Sequence, residues 1–152
     1  MRNYKFRGKT VYDEWIWSST IIIRDDKDPI DGTPFRTVYL GGQNHRCVVM
    51  EDTVGQFTGL LDKKGTEIYE GDILISQTDL VYQVVWQEDS ARFVLYDGSQ
   101  NIIPFSKEVT KKMRVLGSIH DKDIILALTD EEIAALERER GCSGVLVQSK
   151  TE

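Results

Sequence analysis

The feature that most constrains the fold is a run of glycines and turn-forming residues in the middle of the chain, residues 54–76. Gly55, Gly59, Gly65 and Gly71 are spread through this run. Glycine adopts positive φ without a steric cost, so each of these positions permits a tight turn. The apolar segments between them are too short for helices and suit strands. The run therefore predicts short strands joined by tight turns.

Two turns can be located within the run. Residues 62–65, Asp-Lys-Lys-Gly, have Asp first and Gly last, as a type I turn prefers. The flanking segments 56–57 and 67–69 can then pair as a hairpin. Residues 70–72, Glu-Gly-Asp, form the second turn, in which Asp72 can accept hydrogen bonds from nearby backbone N–H groups. The carboxylates of this region are predicted to be solvated turn residues rather than an acid–base pair.

Strand patterns lie on both sides of this run. They are residues 15–23, 35–40 and 47–50 before it, and residues 73–75, 81–86, 93–96, 102–105 and 113–119 at its end and after it. We predict a mainly β protein, with a small antiparallel sheet in residues 1–53 and a small β-barrel in residues 54–128. Alternation places Trp15 and Trp17 on the face of the first strand that is predicted to meet the core. Pro104 predicts that its strand lies at an edge or is broken, because proline lacks the N–H that a central strand needs.

The end of the chain has a different character. Thr129 and Glu132 fit a capping box, so a short helix is predicted from there to about Arg140, ending at Gly141. Residues 129–152 thus form a C-terminal helix and tail. The short apolar run 145–147 leaves two interpretations open. It is a frayed terminus, or it is an arm that adds a strand to the sheet of a neighbouring subunit in a homo-oligomer.

Three stretches resemble the YopX family of phage and prophage proteins. They are Lys-Phe-Arg-Gly-Lys at residues 5–9, the glycine-punctuated segment 54–73, and Val-Leu-Gly-Ser-Ile-His-Asp at residues 115–121. In the last stretch, family members more often carry Asn at Ser118 and Tyr at His120. The resemblance covers about residues 1–128. It implies a mostly β protein with an SH3-like barrel in its C-terminal half and a phage or prophage origin, and it implies no reaction.

Charge and composition limit the function classes. The net charge is -6 and the pI is about 5.0, which argues against broad non-specific binding to nucleic acid and against adhesion to anionic membranes. Cys47 and Cys142 are far apart in sequence, and a reduced cytosolic state is the simpler explanation. The N-terminus has no apolar signal-peptide region, and no apolar run has the ~20 residues of a membrane helix. We therefore expect the cytoplasm of a bacterial host.

No catalytic or metal-binding pattern stands out. The chain has two histidines and two cysteines, without the paired spacing of a zinc site. The aspartates of residues 25–32 do not follow the spacing of a calcium loop. The sequence therefore predicts no catalytic residue, no cofactor and no metal, and an enzyme is the least favoured class.

Two groups of basic residues are the candidate partner-binding sites. The first alternates along one face of the first strand and consists of Lys5, Arg7 and Lys9. The second lies in one later segment and consists of Lys107, Lys111, Lys112 and Arg114. If the fold brings both groups together, they form a local positive patch that suits an acidic partner protein or a nucleic-acid backbone. Otherwise they are two ordinary solvated faces.

The favoured function is that of a phage or prophage accessory protein. It is expected to be a non-enzymatic protein-interaction module that binds a phage or host protein, as a homo-oligomer. The alternative is a nucleic-acid-binding protein that uses the local basic patch. In that case four strand aromatics would supply stacking surfaces if exposed, namely Tyr82, Trp86, Phe93 and Tyr96.

Overall fold

The computed structural model describes residues 1–42, 44–99 and 101–127. In these ranges the strands are β1 (Phe6–Lys9), β2 (Trp15–Ser18), β3 (Ile21–Lys27), β4 (Pro34–Gly41), β5 (Arg46–Val49), β6 (Gly55–Leu61), β7 (Glu67–Tyr69), β8 (Asp72–Ile75), β9 (Val81–Gln87), β10 (Arg92–Tyr96), β11 (Ile102–Pro104) and β12 (Arg114–Ser118). Two short helices are α1 (Lys107–Thr110) and α2 (Lys122–Ala127). The chain is mainly β, which confirms the prediction. The helix predicted from Thr129 lies outside the described residues.

The strands form three antiparallel sheets. Their strand orders are β2-β1-β6-β7, β3-β4-β5 and β11-β10-β9-β8-β12. β1 pairs with β6, with Phe6 opposite Gln56 and Arg7 opposite Gly55. One sheet therefore contains strands from both of the predicted units, residues 1–53 and residues 54–128. The division into these units stays a prediction, but a sheet crosses the boundary between them.

The C-terminal strands form an open sheet and not the closed barrel that was predicted. β11 and β12 lie at opposite edges, and within the described ranges no pairing joins them. β11 has only three residues and ends at Pro104, which is opposite Val94. This position confirms that the proline strand is an edge strand. A short edge that carries proline resists further pairing, which is the physical reason that the sheet stays open at this side.

Buried apolar side chains form separate clusters. The largest contains residues of β7 to β10 and the residue before β12, namely Ile68, Leu74, Tyr82, Val84, Phe93, Leu95 and Met113. A second cluster, in the N-terminal half, contains Val38, Leu40 and Val49. Tyr82, Phe93 and Tyr96 are all buried. Three of the four aromatics suggested for base stacking are therefore core residues, and only Trp86 is 38% exposed.

The predicted strand 15–23 is two strands, β2 and β3, which pair with different neighbours. The Ser18 hydroxyl accepts a hydrogen bond from Thr20 N–H (2.9 Å) in the bend between them. In β2, Ile16 packs on the N-terminal cluster while Trp17 is 59% exposed. The prediction that Trp17 faces the core is therefore wrong. The bend between β2 and β3 changes which alternate residues point inward, so one alternation pattern does not hold across both strands.

The turn predicted at residues 62–65 is confirmed. Gly65 has φ +83° and donates its N–H to the carbonyl of Asp62 (3.1 Å). The Asp62 carboxylate accepts hydrogen bonds from Lys64 N–H and from Thr66 N–H within the turn. It also accepts one from Val115 N–H of β12 (2.9 Å). The turn therefore ties the β6–β7 hairpin to the edge of the five-stranded sheet.

We call the distal half of the β3–β4 hairpin, residues 23–36, the β3–β4 arm. Nearly every residue of this arm is exposed, including apolar side chains. Ile23, Ile30 and Phe35 are 56%, 94% and 48% exposed. In the part of the chain that the structure describes, no helix is long and apolar enough to cross a membrane.

Candidate functional site

Two of the three residues of the first basic group, Arg7 and Lys9, are buried inside the fold. Arg7 is 8% exposed, and its Nη2 lies 2.5 Å from Asp72 Oδ1. Its guanidinium packs against the rings of Trp15 and Tyr69, with 4.6 and 4.9 Å to the ring centroids. The Asp72 carboxylate also accepts the N–H of Tyr69 (2.8 Å). Arg7 therefore joins β1 to β8 and does not face solvent.

Lys9 and Lys5 have internal partners as well. Lys9 is 4% exposed, and its Nζ lies 2.7 Å from Asp13 and 3.2 Å from Asp121. Lys5 pairs with Glu67, and each side chain of that pair is about one-third exposed. The structure therefore does not unite the two predicted basic groups in one solvent-facing patch, because all three residues of the first group pair with carboxylates of the same fold.

Burial contributes to the pKa shifts of the ionisable groups around Arg7 and Lys9. Burial raises the pKa of Asp72 to about 6, even though the Arg7 guanidinium and the Tyr69 N–H favour the charged form. Burial likewise raises the pKa of Glu70. For Lys9, burial lowers the pKa, but the hydrogen bonds and charges of Asp13 and Asp121 outweigh it, so the pKa is raised. The Arg7–Asp72 and Lys9–Asp121 pairs therefore connect β1 to β8 and to the residues after β12.

The second basic group lies on and beside α1. Lys107, Lys111 and Lys112 are exposed. Ser106 caps the helix by accepting Val109 N–H (3.4 Å), and Thr110 is fully buried. Because the helix packs this side against the sheet, its lysines face solvent. Arg114 follows at the start of β12 and is partly exposed.

The β6–β7 turn adds two lysines that the sequence analysis did not assign to a site. Lys63 donates its backbone N–H to the Met113 carbonyl (3.0 Å), so the exposed Lys63 and Lys64 lie beside the segment that follows α1. We call the combined surface the basic end, and it consists of Lys63, Lys64, Lys107, Lys111, Lys112 and Arg114. Within the described ranges, none of these six side chains has a carboxylate oxygen within 4.0 Å. Only the tertiary pairing of the turn with Met113 reveals this neighbourhood.

A groove opens at the basic end, between α1 and the β8–β9 turn. We call it the α1 groove; its volume is about 310 Å³. It is lined by Ser76, Gln77, Thr78, Glu108, Val109, Lys112 and Met113. Val109 and Met113 supply apolar surface, while Lys112 and Glu108 are exposed charged residues. A volume near the lower limit of ligand pockets, ~300 Å³, suits one or two side chains of a partner better than a large cofactor.

The described residues offer no group of side chains that could hold a metal ion as an alternative site. In residues 1–42, 44–99 and 101–127, no three His, Cys, Asp or Glu side chains are placed to hold a metal ion. Cys47 is exposed on β5 as a free thiol. The α1 groove and the basic end around it are therefore the candidate functional site.

A search of curated proteins gave no significant match. Among solved structures, the crystal structure of protein EF1440 from Enterococcus faecalis is similar, with 19% identity and a TM-score of 0.46. That alignment covers 81% of this chain and 97% of the other. The family model described as YopX protein matches residues 5–127, which include all the sheets and the α1 groove. The chain belongs to the YopX protein family.

Proposed function

We propose that this chain is a phage or prophage accessory protein that works as a non-enzymatic protein-interaction module in the cytoplasm of a bacterial host. The observation that carries the proposal is the α1 groove, where apolar Val109 and Met113 lie beside Lys112, which has no ion-pair partner among the described residues. The SH3-like character of the C-terminal half belongs to the same proposal, with an open sheet in place of a closed barrel.

The chemistry of the groove specifies the partner. Val109 and Met113 offer apolar contact to an inserted side chain, and Lys112 lies at the same groove. The rest of the basic end extends the positive surface beyond it. A partner segment that carries an apolar side chain flanked by carboxylates would match both properties. The partner is therefore expected to be an acidic protein segment.

Nucleic acid is the second candidate, and a specific observation favours it. The six cations of the basic end, which have no ion-pair partner among residues 1–42, 44–99 and 101–127, could contact a phosphate backbone. Against it stand the net charge of -6 and the burial of Arg7, Lys9 and most of the strand aromatics. An acidic protein segment is therefore the first choice.

Photo-crosslinking in cells that express the protein tests both candidates. A photoreactive benzoylphenylalanine at Gln77, which lines the groove, is expected to give protein adducts on irradiation. The same group at Ser90, beyond the other end of β9, is the matched control and is expected to give none. Lys111→Glu combined with Lys112→Glu is expected to abolish the adducts at position 77. Adducts to nucleic acid would support the second candidate, and equal protein adducts at both positions would contradict the proposal.

A further inference from the structure

We propose that the α1 groove of one copy receives the tip of the β3–β4 arm, residues 25–31, of a second copy. In this way the chain assembles head to tail. The inference rests on the proposed function, because it names the acidic segment that the groove binds. Three features of the arm support the inference: the tip is exposed, the tip is acidic, and the arm is long enough to reach a second copy.

The tip combines the two properties that the groove requires. Ile30 is 94% exposed and is the most exposed apolar side chain of the arm. Residues 25–31 contain four aspartates and one lysine, a net charge of −3. Of the four aspartates, Asp25 pairs with Arg36 of the same arm. An apolar side chain that is flanked by carboxylates is therefore presented to solvent by a hairpin, where it gains nothing for its own fold.

The groove is complementary in both respects. Its apolar residues, Val109 and Met113, can contact an isoleucine side chain. Around it the basic end carries six cations, and Glu108 is the one acid that lines the groove. Opposite charges on two patches of one chain favour association between copies and orient it.

The length of the arm allows the contact. The exposed part of β3, Ile23–Lys27, has five residues and extends about 16 Å at ~3.3 Å per residue. The exposure of Ile30 means that the tip does not occupy the groove of its own chain. In the proposed head-to-tail contact one tip enters one groove without a reciprocal exchange, so the interface is heterologous. Such an interface produces a closed ring or an open chain of subunits.

Sedimentation velocity of the purified full-length protein over a micromolar concentration series tests the inference. The wild type is expected to self-associate, and salt is expected to weaken the association. Ile30→Lys is expected to weaken it at least about tenfold, ~1.4 kcal/mol, because it removes the apolar contact and repels the basic end. Lys111→Glu with Lys112→Glu is expected to have the same effect. Ile102→Lys, the same substitution at an exposed position of β11, is the matched control and is expected to assemble like the wild type.

Mixing the two assembly-deficient proteins gives the sharper result. The Ile30→Lys variant keeps an intact groove, and the Lys111→Glu/Lys112→Glu variant keeps an intact tip. Their mixture is therefore expected to form 1:1 dimers and to stop there, because each dimer has only defective surfaces left. Circular dichroism of each variant checks that it is folded.

The outcomes separate this inference from the proposed function. A wild type that stays monomeric, or variants that assemble unchanged, would overturn the head-to-tail assembly. So would a mixture that forms no dimers. The proposed function fails separately, if the crosslinker at Gln77 captures no protein in cells. Adducts at Gln77 to a different protein, with a monomeric wild type, would overturn the inference and leave the proposed function standing.

Discussion

At the scale of single residues, the buried pair of Arg7 and Asp72 holds the molecule together. Asp72 is fully buried, and Arg7 is its nearest opposite charge. Taking two charges out of water is costly, and their attraction offsets the cost only while both are present. Arg7 also stacks between Trp15 and Tyr69, which keeps its planar head in one orientation.

At about pH 8, where Asp72 is ionised beside Arg7, Arg7→Met is expected to lower the free energy of unfolding by about 3–5 kcal/mol, because it removes the partner of a buried carboxylate. The double variant Arg7→Met with Asp72→Asn is expected to recover most of this loss. Urea denaturation measures both. Arg36→Met is the matched control; it removes an exposed pair with Asp25 and Glu51 and is expected to cost much less than Arg7→Met. Equal losses for Arg7→Met and Arg36→Met would contradict the role of burial.

The pKa of Asp72 gives a prediction with a definite sign. Its folded value of about 6 lies above the ordinary 3.8, so the folded state binds the proton more tightly than the unfolded state. The resulting stabilisation is complete below about pH 4 and is lost as pH rises through about 6. The stability of the wild type relative to Asp72→Asn is therefore expected to rise, by at most about 3 kcal/mol, from about pH 7 to about pH 4.

Urea denaturation of both proteins at several pH values measures this difference. Glu70, whose pKa is also raised, is present in both proteins and cancels in the comparison. Asp62 and Asp121 have lowered pKa values and destabilise the fold in stronger acid, again in both proteins. If the stability of the wild type relative to Asp72→Asn falls as the pH is lowered, the attraction of Arg7 affects the pKa of Asp72 more than burial does.

At the scale of elements, close backbone approaches decide where β6 and β7 can lie. A Cβ at Gly55, in the first position of β6, would be 2.5 Å from the carbonyl oxygen of Glu70. No side chain fits at that distance, and the obstacle is backbone, which cannot rotate away. The glycine therefore allows the segment after β7 to approach β6 and places Asp72 beside Arg7.

Gly55→Ala is expected to cost about 1–3 kcal/mol, because the new methyl group forces the two backbones apart. Thermal and urea unfolding measure the loss. Gly42→Ala is the matched control, since nothing lies within 4 Å of its Cβ position and its φ is not positive. That change is expected to stay within about 0.5 kcal/mol. A tolerated Gly55→Ala would mean that the approach of Glu70 to β6 is not required.

At the scale of the whole molecule, the two halves are expected to unfold together. The sheet β2-β1-β6-β7 takes strands from both sides of residue 54, and the Arg7–Asp72 pair crosses the same boundary. Trp15 Nε1 also donates a hydrogen bond to Asp121 (2.8 Å). Neither half can satisfy these groups by itself.

Fragments 1–53 and 54–127 are therefore each expected to be unfolded, whereas residues 1–127 fold. NMR spectra provide the readout, because a folded β fragment gives well-dispersed amide signals. The full chain is expected to show a single cooperative unfolding transition by circular dichroism and by tryptophan fluorescence. A dispersed spectrum from 54–127 alone would contradict the prediction and would support two independent units.

Local signals in the sequence explain what could be predicted. The turn at Asp62 and Gly65, the edge position of Pro104 and the later strands depend on nearby residues, and all appear in the structure. The face of Trp17 could not be predicted, because it depends on a bend that changes the partner strand. Four of the six residues of the basic end were predicted, because Lys107, Lys111, Lys112 and Arg114 form one segment. Lys63 and Lys64 were not, because they lie beside that segment through a contact between residues about 50 positions apart in sequence.

The sequence by itself determined the family, the β class and the turns, because glycine, proline and aspartate act on the backbone within a few residues of themselves. Only the tertiary structure decided which charges remain available for a partner. Arg7 and Lys9 match an exposed basic strand in sequence, yet Asp72 and Asp121 neutralise them from more than 60 positions away. A charged side chain is neutralised by an opposite charge within about 4 Å of it in space, and the sequence without the fold does not give the distance between the two charges.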